Sequence, residues 1–405
     1  MMSHESATLN FRGRRRALRT AGACGALTVA LLGSIAWAGS AAAATPTVTC
    51  GSTLTADVTL KTNLTCPAGD GLILGSGVTL DLGGHTLTGP GSTGVGVRNA
   101  DDSLGDNGVR NGRIIGWGTG ILVQGTTTGT MTPFTIADVT LRSAPVQSGP
   151  LASPVTMTRV TAQQSPIRAE LTADIHIGQS KLTQSPVSVF FASAFITDSV
   201  LIESQLDASG QGEIRVESSR LDGNGTTALG FLSETIMTIH DSVVKEFSQP
   251  IQGFWGGVRL TDSTFTDMPN GVLGDISSNI GSDGVSVITG NTFARSGVVL
   301  AGDVPMIVEN NVFTRSDTGV VFTRDQSLPG DPPFTAEGSR AVGNELTKNS
   351  GSGIYAELPG LAVGDNVAKR NGGYGIYAPG AIDLGGNVAS GNALGQCVGV
   401  VCAAK

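Results

Sequence analysis

The sequence is short of charge and shorter of rings. Asp, Glu, Lys and Arg make up 14% of its 405 residues, and Phe, Trp and Tyr 5%. Lys and Glu are too sparse for a helical protein, because straight-chain residues are what sustain helices in water. Disorder is excluded as well, since 40% of the residues are hydrophobic, an ordinary share for a chain that buries a core. Past the first forty or so residues no apolar run is long enough to span a bilayer. Also missing are a nucleophile elbow, a zinc-ligand spacing, a phosphate loop and a dinucleotide fingerprint.

What the N-terminus does have is a leader. Arg12, Arg14, Arg15, Arg16 and Arg19 form a basic region, an apolar stretch runs from about Ala21 to Ala38, and small residues fill Gly39 to Ala44. This order is that of a secretory signal peptide over 1–44, cleaved near Ala44, with one mature domain over 45–405. Removing the leader takes away five Arg and Glu5, so the net charge moves from −8 to −12. A chain this acidic is not expected to bind nucleic acid or anionic membranes non-specifically. An anionic polysaccharide would need a local basic patch or a bridging divalent cation. Cys24 leaves with the leader, and Cys50, Cys66, Cys397 and Cys402 remain. An even number of cysteines in an exported chain reads as disulfides.

The mature chain repeats itself. Asn recurs at 291, 311, 344, 366 and 387, at intervals of 20 to 22 residues apart from one of 33. That longer interval holds an insertion rich in Pro, Gly and Asp, from Thr323 to Ser339. Upstream, Ser takes the same phase at 180, 199, 219, 242 and 263. A Gly followed by an aliphatic residue runs in step: Gly297-Val298, Gly319-Val320, Gly353-Ile354 and Gly375-Ile376. Between the turn residues lie short alternating segments such as Val285 to Ile288, which read as strands with one buried face. A unit of this length holds three such strands and cannot bury its apolar face alone. Stacked end to end, the units share one core.

The fold expected is therefore all-β, a right-handed parallel β-helix (a solenoid) of about fifteen coils. The recurrent Asn should form a ladder at one turn, where Asn tolerates left-handed backbone and caps neighbouring groups. Leucine-rich, propeller and calcium-binding nonapeptide repeats fail on period or signature. At about 4.8 Å per coil, fifteen coils span roughly 70 Å. A disulfide needs Cα atoms within about 7 Å. Only Cys50–Cys66 with Cys397–Cys402 satisfies both.

The residues that open and close the mature chain carry a resemblance. Cys50-Gly51-Ser52, Leu64-Thr65-Cys66, Asp70 to Leu74, Val78 to Gly89, and the closing Gly386 to Asn392 with Cys397 to Cys402 resemble a group of secreted bacterial β-helix proteins. Their broader relatives are the pectate-lyase-like right-handed β-helices. These include polysaccharide lyases, glycoside hydrolases, epimerases and a periplasmic copper-loading family. The resemblance spans nearly the whole mature chain and implies the fold. It does not single out one chemistry, because the matching residues are turns, core and caps.

Candidate sites follow from the phase of the repeat. Four residues after successive ladder Asn come Arg295, Arg315, Lys348 and Arg370. A column of like charges at about 4.8 Å repels by roughly 0.9 kcal/mol per pair in bulk water. It needs compensating acids, for which Asp317 and Glu345 are candidates, or a function. The function would be to bind carboxylates of an extended acidic glycan; the plainer reading is a solvated turn. Tyr355 and Tyr377 repeat in register and should stack outward, as a platform for sugar or as sheet packing. Asp101, Asp102 and Asp106 cluster in an insertion and suggest Ca²⁺, against a solvated acidic loop. Asp81 and His85, four apart, read as turn and cap residues rather than an acid/base pair. No catalytic residue stands out. The function expected is that of an exported protein interacting with extracellular polysaccharide, as a lyase or related carbohydrate-active enzyme. The alternatives are a non-catalytic glycan-binding or cell-surface β-helix and a metal-handling relative of the copper-loading family.

Overall fold

The computed structural model describes residues 48–100, 105–125, 133–254, 256–277, 285–301, 305–323 and 335–404. The leader, Asp101, Asp102 and most of the insertion after Thr323 lie outside them. The described chain is all-β, with parallel strands wound as a solenoid of about 14 turns. This agrees with the expectation of about fifteen coils, and the coils differ in length. From Asn311 to Asn344, for example, one turn takes 33 residues.

Each coil lays down three short strands. In one coil these are Met306–Glu309, Val312–Thr314 and Val320–Thr323. Each pairs in parallel with its counterpart one coil on: Ile307 with Arg340, Val312 with Glu345, Val320 with Ile354. The strands thus form three columns, referred to below as first, second and third in chain order. Alternation sends one residue in two inward, so Val308, Phe313, Val320 and Phe322 are buried. Inside, rings stack as coils do, Phe265 on Phe293 at 5.0 Å and Phe293 on Phe313 at 4.6 Å.

The turn between the first and second columns carries the expected ladder. Each backbone N–H donates to the side-chain oxygen of the ladder residue one coil on. The chain runs unbroken from Val160 through Ser180, Ser199, Ser219, Ser242 and Ser263 into Asn291. It continues through Asn311, Asn344 and Asn366 to Asn387. These side chains are buried, so every bond replaces one that water would otherwise make.

A second ladder follows the second column, and the repeat had not announced it. It runs from Met268 through Ser296, Ser316, Asn349 and Asn371 to Asn392. An earlier stretch joins Ala144, Ser165, Ser185 and Ser204. The Gly-aliphatic marker also has a physical cause. A Cβ on Gly353 would stand 2.5 Å from the carbonyl oxygen of Gly375, and one on Gly375 2.5 Å from that of Gln396. Only glycine admits the next coil there.

Both expected disulfides are present, Cys50–Cys66 with Cα atoms 5.7 Å apart and Cys397–Cys402 at 6.1 Å.

Candidate functional site

The four cations stand in one column, as their spacing requires. Thr314 pairs with Ala294 and with Thr347, and Thr347 with Lys369, so Arg295, Arg315, Lys348 and Arg370 are successive neighbours. All four have left-handed backbone, with φ between 54° and 57°. Each immediately precedes a residue of the second ladder. The corner thus turns the chain at these residues, inserts the following Ser or Asn inward, and leaves the long cationic side chain exposed.

The same corner one coil earlier carries acids. Asp267 is in register with Arg295, and Glu246 precedes Asp267. Arg295 clasps Asp267 through both carboxylate oxygens, Nη2 to Oδ2 at 2.8 Å. The Arg295 hydrogen bond holds the Asp267 carboxyl below its usual range, and Asp267 in turn raises Arg295. The compensating acid is therefore Asp267, and not Asp317 or Glu345 as the sequence suggested. Asp317 accepts from the Ser350 hydroxyl at 3.1 Å instead. The reason is register: Asp267 holds the corner position itself, whereas Glu345 begins a strand and Asp317 lies beyond the corner. Among the described residues Arg315, Lys348 and Arg370 have no ion pair. A shallow open groove of about 380 Å³ lies at the head of this column, lined by Asp267, Pro269, Arg295, Arg315 and Asp317.

Tyr355 and Tyr377 face outward in the third column and stack at 5.1 Å with planes 12° apart. Tyr374 leans on Tyr377 at 5.2 Å. Burial raises the Tyr355 hydroxyl above its ordinary range, with help from the nearby Glu357 carboxylate. Tyr355 follows Lys348 on its coil by seven residues, and Tyr377 follows Arg370 by the same number. Column and stack thus share two coils.

The acidic cluster is not assembled within the described residues. Asp101 and Asp102 lie outside them, and Asp106 is exposed. Among the described residues no group of three His, Cys, Asp or Glu side chains is placed to hold a metal ion. Asp81 does serve a turn: its Oδ1 accepts the Gly83 N–H at 2.8 Å and its Oδ2 meets Arg110.

One grouping has no signal in the repeat. Farther up the third column, Arg168, Ser188, Asp207 and Phe231 follow one another in register on the outer face. They border a cleft of about 240 Å³. Coil intervals here vary from 19 to 24 residues, so no fixed spacing links them in the sequence.

Comparison with known proteins adds no argument about this chain. No protein-family model matches the chain, and no curated protein sequence matches it. Among solved structures, a mutant of the periplasmic alginate epimerase AlgG aligns at 11% identity and a TM-score of 0.28, over 84% of this chain and 78% of that one. The catalytic unit of a thermostable GH87 α-1,3-glucanase from Streptomyces thermodiastaticus aligns at 14% identity and a TM-score of 0.27, over 83% of this chain and 64% of that one. At such values neither protein's activity transfers to this chain.

Proposed function

We propose that this is an exported protein that binds an extended acidic polysaccharide along the corner formed by Arg315, Lys348 and Arg370. One observation carries the reading: three successive coils expose a cation at one position, with no carboxylate in ion-pair reach among the described residues. Such a column disfavours folding slightly by its own repulsion. A polymer with a carboxylate on each sugar would relieve it, one contact per coil. The Tyr355–Tyr377 stack on the adjoining face offers apolar surface to the sugar rings. The reading is one of binding, because what the column offers a polymer is a row of charge contacts, one per coil. Two disulfides suit an oxidising compartment outside the cytosol.

The test is retention of the mature protein on immobilised polygalacturonate at low salt, with elution by salt. A neutral glucan matrix is the control. Failure to bind polygalacturonate at low salt overturns the reading.

A further inference from the structure

The cleft in the third column is built differently from the basic corner. Its floor is two serines. Ser188 and Ser209 face outward between taller neighbours, Phe190 on one coil and Phe231 two coils on. Phe190 is 47% exposed and Phe231 40%, unusual for rings that have a core at hand. Phe190 is held rather than loose. Phe191 meets it edge-on, centroids 4.7 Å apart and planes at 86°. The Phe191 ring lies over Gly210, where a Cβ would stand 2.7 Å from the ring. Phe191 itself has φ of 50°, a strained setting for a bulky residue.

Charged groups of both signs border the floor. Arg168 and Glu170 come from the strand Ile167–Glu170, and Asp207 from Leu206–Ser209. Asp207 is half-buried, and its Oδ1 accepts from Gln205 Nε2 at 2.8 Å and from the Phe231 N–H at 3.1 Å. Burial still pushes its carboxyl above the usual range, so the carboxylate is short of solvation. Hydroxyl donors arriving over the floor would supply what water does not.

We infer that this cleft is a binding site for a neutral pyranose, its apolar face against Phe190 and Phe231 and its hydroxyls on Arg168, Asp207, Glu170 and the two serines. The aromatic walls alone would suit any apolar partner. The mixed-charge border selects a ligand that both donates and accepts hydrogen bonds over one small ring. Two carboxylates against one guanidinium leave that border negative, which disfavours a uronate. The site is thus independent of the basic corner and takes a different class of sugar.

The experiment is calorimetric titration of the mature protein with neutral hexaoses: cello-, malto- and laminarihexaose. At least one should bind, roughly tenfold more weakly in Phe231→Ala and in Asp207→Asn. Its affinity should stay unchanged in Arg315→Gln/Lys348→Gln and in the presence of excess polygalacturonate. Circular dichroism should give each single variant the wild-type strand signal, as expected for changes on an outer face. Phe190→Ala is the second wall variant should Phe231→Ala fold poorly. Overturning results are no binding by any of the three sugars, binding unaffected by loss of either wall, or self-association that disappears in Phe231→Ala without sugar binding. If hexaose binds and polygalacturonate does not, this site stands and the corner reading falls.

Discussion

Asn311 holds Asn291 twice: its Oδ1 accepts the Asn291 backbone N–H at 2.9 Å and the Asn291 Nδ2 at 3.0 Å. Its own Nδ2 donates to the Ile288 and Glu309 carbonyls and to Asn344 Oδ1. Asn311→Ala therefore strands several groups inside the stack, each costing about 1–3 kcal/mol if left unpaired. Thermal melting should fall clearly. Asn311→Ser should cost less, because Ser holds the same position in five upstream coils and still accepts the preceding N–H. A melting temperature for Asn311→Ala equal to wild type would place Asn311 outside the ladder.

The first ladder was legible because Asn and Ser kept one phase in front of inward apolar residues. The second was just as regular at its C-terminal end, with Asn349, Asn371 and Asn392 each five residues after a first-ladder Asn. Its phase is obscured in the sequence because Ser296 and Ser316 hold the same position as the later Asn, directly after the exposed cations. Those cations were placed correctly in one column, but their pairing was not foreseen. Asp267 precedes Arg295 by 28 residues, across a coil of unusual length, so its register with the column could not be counted. The Phe190–Asp207–Phe231 cleft was not legible at all. Its residues meet only when coils of 19 and 24 residues are wound against each other.

The disulfides separate the two ends. Non-reducing peptide mapping should give Cys50–Cys66 and Cys397–Cys402 and no cross-link between the pairs. Their loops are short, with separations of 16 and 5 residues. In the chain-entropy model the first contributes roughly 3 kcal/mol and the second about 2 kcal/mol. Cys50→Ser/Cys66→Ser should therefore loosen the N-terminal coil before the middle. Hydrogen exchange would read this as lost protection around Leu64–Thr65 and Leu72–Leu74, with Asn311 and its neighbours unchanged.

Two aspartates should give pH dependences of opposite sign. The Val401 and Gly385 N–H groups hold the Asp383 carboxyl below its ordinary value of 3.8. A lowered folded value means stability that is present above 3.8 and lost as pH falls through the folded value. Asp207 is raised by burial, so its protonated form is the better tolerated one. Its contribution is complete below 3.8 and declines as pH rises through the folded value. Asp383→Asn should lower the melting temperature at pH 7, with the difference shrinking in strong acid. Asp207→Asn should raise it at pH 7, and the gain should vanish below pH 3.8. Melting curves of both variants across pH 2.5 to 8 decide this. An Asp207→Asn curve running parallel to wild type would show that Asp207 is well solvated.

The basic corner gives the last prediction. Arg315 and Lys348 are exposed and have no ion pair among the described residues, so Arg315→Gln/Lys348→Gln breaks no ion pair of the described fold. Melting should be unchanged or slightly raised, since neighbouring like charges repel by roughly 0.9 kcal/mol before screening. Arg295→Gln is the contrast: it abandons Asp267, and exposed pairs of this kind contribute at most about 1 kcal/mol. On polygalacturonate the double variant should bind more weakly and with a shallower dependence on salt, because fewer cation–carboxylate contacts remain to be screened. Tyr355→Ala should weaken the same binding and leave the salt slope as it was, since a ring stacked on sugar carries no charge. A double variant with wild-type affinity and slope would remove the corner from the binding site. A Tyr355→Ala variant with a changed slope would mean that its ring acts by placing Lys348 or Arg370 rather than by touching the glycan.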